Sequence, residues 1–315
     1  MYINKLGSYC PLFIVIILAA CQTVPVSKGG NMGFASTQQN VPALRTCWRG
    51  ASSSASQTTF ILAVGANTGD LRLANQDAQQ FAQTMQRRFK VPPMQVCVLS
   101  NGYRAEFELA LLDLVQWVKP DDRVLIFFSG HGSHVPDDNG DERDGWDEVF
   151  VTADAQNEYP KREDVVVDDN LVRLINALPT EQVITFIDAC HSGGMYKDKD
   201  VLLAQARIKF LMKGDLGTIL PAANHQNVKV ETAGGLEHIK GVVFASAQEN
   251  QEAREYPNKG GFFTTIFLQN LAMYPNASLV EVFQYTALEM RKRTENSKSP
   301  QYPQQMGDMS LVKGW

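Results

Sequence analysis

The chain has 315 residues, 44% of them apolar and 20% charged, a composition that suits a globular protein able to bury one large core. Its net charge is −5 and no stripe of Lys and Arg forms along it. That argues against nucleic acid as the main partner, because phosphate binding needs a basic footprint.

At the N-terminus, Lys5 precedes the apolar run Leu12-Phe13-Ile14-Val15-Ile16-Ile17-Leu18, which is too short to span a bilayer as a helix. Leu18-Ala19-Ala20-Cys21 follows at once, and the whole resembles a bacterial lipoprotein signal. The resemblance implies that residues 1–21 are a signal peptide whose lipobox cysteine, Cys21, carries the lipid (palmitate included) after cleavage. Gln22, where an Asp would signal retention, points to the outer membrane of a bacterial envelope, facing the periplasm. An ordinary secretory signal is the alternative. Residues 22–57, rich in Ser, Gln, Gly, Thr and Asn without an apolar period, read as a flexible tether, which leaves 58–315 as the folded domain.

That domain alternates strands and helices. A strand is predicted at 59–65, a helix at about 73–89 ended by Pro92-Pro93, and a strand at 95–99. A second helix presents Phe107, Leu111, Leu114, Val115 and Val118 on one face. A strand at 123–128 precedes an acidic loop and a short strand at 148–151. Asp168-Asp169 opens a third helix, with Asp168 read as its N-cap; a strand at 183–188 and an irregular segment at 195–237 come next. A strand at 241–246, helices at 262–273 and 278–294, and an extended piece at 300–312 complete the chain. The pattern implies an α/β fold with a mostly parallel sheet covered on both faces.

Two of these strands end in chemistry. Val183–Asp188 runs into Ala189-Cys190-His191-Ser192-Gly193-Gly194, and Val124–Phe128 into Ser129-Gly130-His131-Gly132-Ser133-His134. In open α/β sheets the site lies outside the carboxyl ends of the strands, so one strand delivers a thiol and the other an imidazole to one crevice. A Cys–His pair is the minimum apparatus for thiolate catalysis. The flanking glycines suit an exposed His131 and free the Gly132 amide as an oxyanion donor. His134 and His191 rank below it, lying deeper in their loops. Side-chain alternation sets Asp188 on the same side as Cys190, and Ser129 on the same side as His131. Cys97 reads as an inert buried thiol; its pairing with Cys47 is left open by export and not demanded by spacing. The reading requires the sulfur and the imidazole to share a groove that water reaches.

The runs Phe127-Phe128-Ser129-Gly130-His131-Gly132-Ser133, Asp138–Glu148, Asp168-Asp169-Asn170-Leu171 and Asp188-Ala189-Cys190-His191-Ser192-Gly193 together resemble the caspase-like cysteine peptidases, most closely the metacaspases. The resemblance covers 58–315 and implies a caspase-like three-layer sandwich. It implies Cys190 as nucleophile, His131 as acid/base with no third carboxylate, and the amides of Gly132 and Cys190 as oxyanion hole. It also implies a substrate pocket holding Asp188, Asp77 and Ser129, and hence endopeptidase cleavage after Arg or Lys. The family pattern has Gly-Cys where this chain has Leu73-Ala74, which weakens Asp77 as a match. Ala245–Glu255 resembles the substrate-binding strand and loop. No cofactor is required by this reading. Calcium stimulation is implied through Asp168 and Asp169, with Asp147 and Asp198 as weaker ligands. An EF-hand over 137–148 is rejected because Glu142 stands where the loop needs Gly. Lys197, Lys199, Arg207, Lys209 and Lys213 lie where such peptidases cut themselves. The partners are then protein or peptide substrates and a membrane, through Cys21. Rival readings are a non-catalytic caspase-like lipoprotein scaffold and a peptidase of Asp or other specificity.

Overall fold

The computed structural model describes residues 47–48, 57–140, 145–155, 160–190, 206–211, 235–248 and 251–315. Expectations for Cys21, His191, Lys197, Asp198, Lys199 and Lys213 concern residues outside these.

The central sheet has six strands: β1 (Thr59–Gly65), β2 (Val96–Ser100), β3 (Arg123–Ser129), β7 (Val183–Asp188), β9 (Val242–Ala245) and β12 (Gln304–Gly307). Their order is β12-β9-β7-β3-β1-β2, all parallel except β12, which runs antiparallel along β9. The chain leaves β1 toward β2 and then returns to the other side of β1 with β3, so a crevice opens at their carboxyl ends.

Alternation along the strands builds the layers. In β1 and β3, Phe60, Leu62, Val64, Val124, Ile126 and Phe128 point to one face, and Ile61, Ala63, Leu125 and Phe127 to the other. The first set packs under α2 (Arg104–Trp117) and α3 (Asp168–Asn176) through Phe107, Leu111, Leu171 and Ile175. The second packs under α1 (Ala74–Phe89), α4 (Phe262–Met273) and α5 (Leu279–Thr294). There Phe127 stacks on Phe81 at 4.4 Å and Phe244 on Phe283 at 4.3 Å between centroids. Each buried ring contributes about 1.5–3 kcal/mol, and Phe127→Ala would cost about 3–5 kcal/mol.

Two three-stranded sheets add to the expected elements, and of their strands only Trp146–Val151 includes a predicted one, 148–151. β4 (Gly132–Pro136), β5 (Trp146–Val151) and β6 (Val165–Val167) form one antiparallel sheet. β8 (Arg207–Ile208), β10 (Arg254–Tyr256) and β11 (Gly260–Gly261) form the other, with β10 in the middle. β8 belongs to the segment expected to be irregular.

Three expectations are corrected. Cys97 is not a free thiol but is disulfide-bonded to Cys47, 50 residues away in sequence. Trp48 is buried against Phe60 and donates its indole N–H to the Ala110 carbonyl, so this part of the expected tether packs on the domain. Asp168 is the first residue of α3 rather than its cap, a position held by Val167.

Candidate active site

Register brings the two chemical residues together. Ser129 of β3 pairs with Asp188 of β7, so His131 and Cys190 each stand two residues past the last paired positions. Their strands touch closely here: a Cβ on Gly132 would lie 1.7 Å from the Cys190 carbonyl oxygen, which is why this position must be glycine.

The His131 ring is buried, with Nε2 3.1 Å from the Thr68 carbonyl oxygen. A carbonyl only accepts, so Nε2 carries the proton and the lone pair lies on Nδ1, which has no hydrogen-bond partner among the described residues. The Asp70 carboxylate, which the sequence did not suggest, lies 3.6 Å from Nε2. The His131 Nε2–H directed at it holds Asp70 below the usual carboxylate range, against the opposing effect of burial.

Contrary to the sequence expectation, the Cys190 sulfur is sealed from water. It accepts the Ala253 amide at 2.9 Å, and burial pushes the thiol up to about 12, so it is protonated here. From the segment 206–211, Ile208 and Phe210 pack against the cluster of Cys190, Ala247 and Ala253.

That segment lies through the site as an extended strand. The amides of Gly132 and Cys190 converge on one oxygen, the Lys209 carbonyl, at 2.9 and 3.2 Å. Lys209 donates its own N–H to Ala253 at 2.9 Å, Arg207-Ile208 pairs with β10, and Leu211 donates to the Gly132 carbonyl at 3.0 Å. The Lys209 side chain is fully buried. Its Nζ lies 2.7 Å from Ser129 Oγ, 3.2 Å from Asp188 Oδ2 and 3.5 Å from Asp77 Oδ2. Burial alone would depress the ammonium, yet Asp188 and Asp77 outweigh it and raise its pKa. Burial lifts Asp77 to about 6, with the Asp188 charge adding and Lys209 opposing.

The pocket walls hold these acids in place. Asp77, in the first turn of α1, accepts from Ser129 Oγ at 2.8 Å and from the Gly261 amide at 3.0 Å. Asp188 Oδ2 accepts from Thr264 Oγ1 at 2.6 Å, while its Oδ1 is buried without a partner among the described residues. A Cβ on Gly261 would meet Asp188 at 2.0 Å and Lys209 Nζ at 2.6 Å, so glycine keeps the pocket open. Lys209, Gly261 and Thr264 had no assigned part in the pocket from the sequence. Only the basic character of 195–237 and the resemblance of Ala245–Glu255 to a substrate-binding strand hinted at it.

Two of the carboxylates named as calcium ligands, near β5 and α3, are engaged by protein groups. Asp147 is 2.7 Å from the Arg162 guanidinium, and Asp169 accepts from Asn139 Nδ2 at 2.7 Å. Asp168 is raised to about 8 by burial, with Glu148, Asp169 and Asp147 adding. Among the described residues no group of three or more His, Cys, Asp or Glu side chains is gathered to hold a metal ion.

Residues 58–311 match the family model described as Caspase domain. Metacaspase-1B of Aspergillus niger is 27% identical over 246 residues, covering 68% of this chain and 55% of that protein. Metacaspase-1 of Cryptococcus neoformans is 28% identical over 212 residues, covering 57% and 45%. Metacaspase-6 of Arabidopsis thaliana is 34% identical over 112 residues, covering 35% and 28%. The chain thus spans between about a quarter and just over half of the length of these relatives. The crystal structure of a Geobacter sulfurreducens protein shares the fold at a TM-score of 0.55 and 21% identity, covering 81% of this chain and 97% of that one.

Proposed function

We propose, for a chain that belongs to the caspase-domain family of cysteine peptidases and is metacaspase-like within it, an endopeptidase that cleaves after Lys or Arg and first cuts itself between Lys209 and Phe210. One observation carries this reading: the Lys209 carbonyl receives the Gly132 and Cys190 amides while its ammonium lies among Asp77, Ser129 and Asp188. A peptide bond held this way is positioned as a substrate. Two buried carboxylates select a cation, and Oδ1 of Asp188, without a partner among the described residues, offers a guanidinium a second acceptor. An Asp side chain would face like charges there, which disfavours the Asp-specific alternative.

In the proposed reaction, Nδ1 of His131 takes the thiol proton as Cys190 Sγ attacks the Lys209 carbonyl carbon, and the two amides hold the resulting oxyanion. The bond to the Phe210 nitrogen breaks, and His131 returns the proton to that leaving amine. Water then hydrolyses the thioester, which frees the thiol and leaves Lys209 with a carboxylate. The high pKa of the covered sulfur supports a latent state, because displacement of the strand removes the burial that holds the proton on.

The Cys47–Cys97 disulfide supports an exported protein, and with it the lipid anchor at Cys21 and an envelope location, because such bonds persist in oxidising compartments. Calcium stimulation finds no ready-made site among the described residues, and no step above uses it.

The test is to incubate the full chain and its Cys190→Ala variant with Lys-, Arg- and Asp-ended fluorogenic peptides, with and without calcium, and to map self-cleavage by mass spectrometry. Cleavage at 209–210 and of Lys- and Arg-ended peptides, abolished in Cys190→Ala, is expected. An intact Lys209–Phe210 bond together with inert Lys and Arg peptides would overturn the reading.

A further inference from the structure

The strand through the site is held by a third buried acid besides Asp77 and Asp188. Arg207 of β8 stands directly opposite Glu255 of β10, and its guanidinium Nη1 is 2.8 Å from Glu255 Oε1. Glu255 is fully buried, whereas Arg207 keeps 29% of its side chain exposed. The register is fixed independently of that ion pair, by the Lys209 amide on the Ala253 carbonyl and by the Lys209 carbonyl on the two amides. Any peptide that adds to the same edge of β10 with a basic residue in the pocket therefore sets its residue two positions earlier against Glu255.

We infer that Glu255 is a specificity-determining residue that selects an Arg or Lys two positions before the basic residue at the cleaved bond. The preferred substrates are then extended segments of the form basic–any–basic, and Arg207-Ile208-Lys209 is the chain's own example. This rests on the proposed cleavage after basic residues.

The chemistry of Glu255 favours selection over simple packing. Its carboxylate already accepts the Arg72 and Leu73 amides, at 3.0 and 2.8 Å, just before α1, and these fix its position without neutralising it. A neutral residue in the substrate would leave a buried negative charge facing apolar atoms, while a guanidinium restores a charge-assisted pair. Among the described residues Asp70 is a rival acid, since the Arg207 charge also reaches it; it is largely exposed, so it should discriminate less.

The experiment compares acetyl-Arg-Ile-Lys-aminomethylcoumarin with its citrulline counterpart, in which the guanidinium becomes a neutral urea of the same shape, on the full chain. The Arg peptide should show a kcat/KM at least about tenfold higher. Glu255→Gln, whose single carbonyl oxygen can stand where Oε2 accepts the Leu73 amide at 2.8 Å and the Arg72 amide at 3.3 Å, should shrink that ratio to about twofold or less, while Asp70→Asn should preserve most of it. Equal cleavage of the two peptides by the unaltered chain overturns this inference alone, and so does a ratio undiminished in Glu255→Gln. If Glu255→Gln does not fold, the ratio in the unaltered chain decides. A chain that cleaves no Lys- or Arg-ended peptide overturns the basic-residue reading and this one with it.

Discussion

Ser129 and Asp188 are direct partners in the parallel register of β3 and β7, and both side chains reach the ammonium of Lys209. The same pairing puts His131 and Cys190 level with each other two residues on, so one register sets pocket and chemistry together. A one-residue slip of β7 against β3 would turn Asp188 and Cys190 away from the face that Ser129 and His131 share.

The contact of Gly132 with Cys190 leads to the first prediction. Gly132→Ala must push the two strand ends apart, because its Cβ would otherwise lie 1.7 Å from a backbone oxygen. The variant should lose roughly a hundred- to thousandfold in kcat with an unchanged circular dichroism spectrum. Near-normal turnover would show that the Gly132 amide does not serve the oxyanion.

Lys209→Ala removes the cation between Asp77 and Asp188. The bond after position 209 should stay intact on mass spectrometry, and stability should fall by about 3 kcal/mol near pH 8, as for other buried charges left unpaired. Asp77 is already raised from 3.8 to about 6 with Lys209 present, and losing the lysine raises it further. A raised carboxyl destabilises the fold once ionised, so the deficit should shrink as pH falls from 8 toward 5. A pH-independent deficit in thermal melts would contradict this.

Asp168 gives a second pH dependence, away from the site. With its pKa raised from 3.8 to about 8, its penalty is absent below pH 4 and grows until the group is ionised above pH 8. Asp168→Asn should therefore raise Tm at pH 8.5 and leave it nearly unchanged at pH 4. Equal melting shifts at both pH values would mean that ionisation is not the cause.

The Cys47–Cys97 bond closes a loop of about 50 residues, for which chain-entropy reasoning gives about 4 kcal/mol. Cys47→Ser, or reduction of the native chain under mild denaturant, should lower Tm by several degrees. Thiol titration of the untreated unfolded chain should leave Cys47 and Cys97 unreactive, and their labelling would refute the pairing.

The central layers were legible because long buried strands such as Val183–Asp188 and helices such as Leu279–Thr294 carry clear apolar patterns. Cys190 and His131 stood out because each follows such a strand with glycines beside it. The sheet of β8, β10 and β11 was not legible: strands of two or three residues have no period to read, and their pairing is set by tertiary contacts. The occupation of the pocket by Lys209 was hidden for the same reason, since its partners lie 132 and 80 residues away at Asp77 and Ser129. The disulfide was left open rather than required by the sequence, because Cys47 sits in a stretch whose composition reads as linker, and the burial of Trp48 beside it shows that this stretch is anchored.

β8 occupies the edge of β10 as part of the same covalent chain. Dilution does not weaken such an occupant, because its effective concentration is set by the connecting chain. Under the proposed function, unlocking by the molecule's own thiol is first order and indifferent to how many copies surround it. An outside peptide or inhibitor, by contrast, must outcompete a rival that is always present.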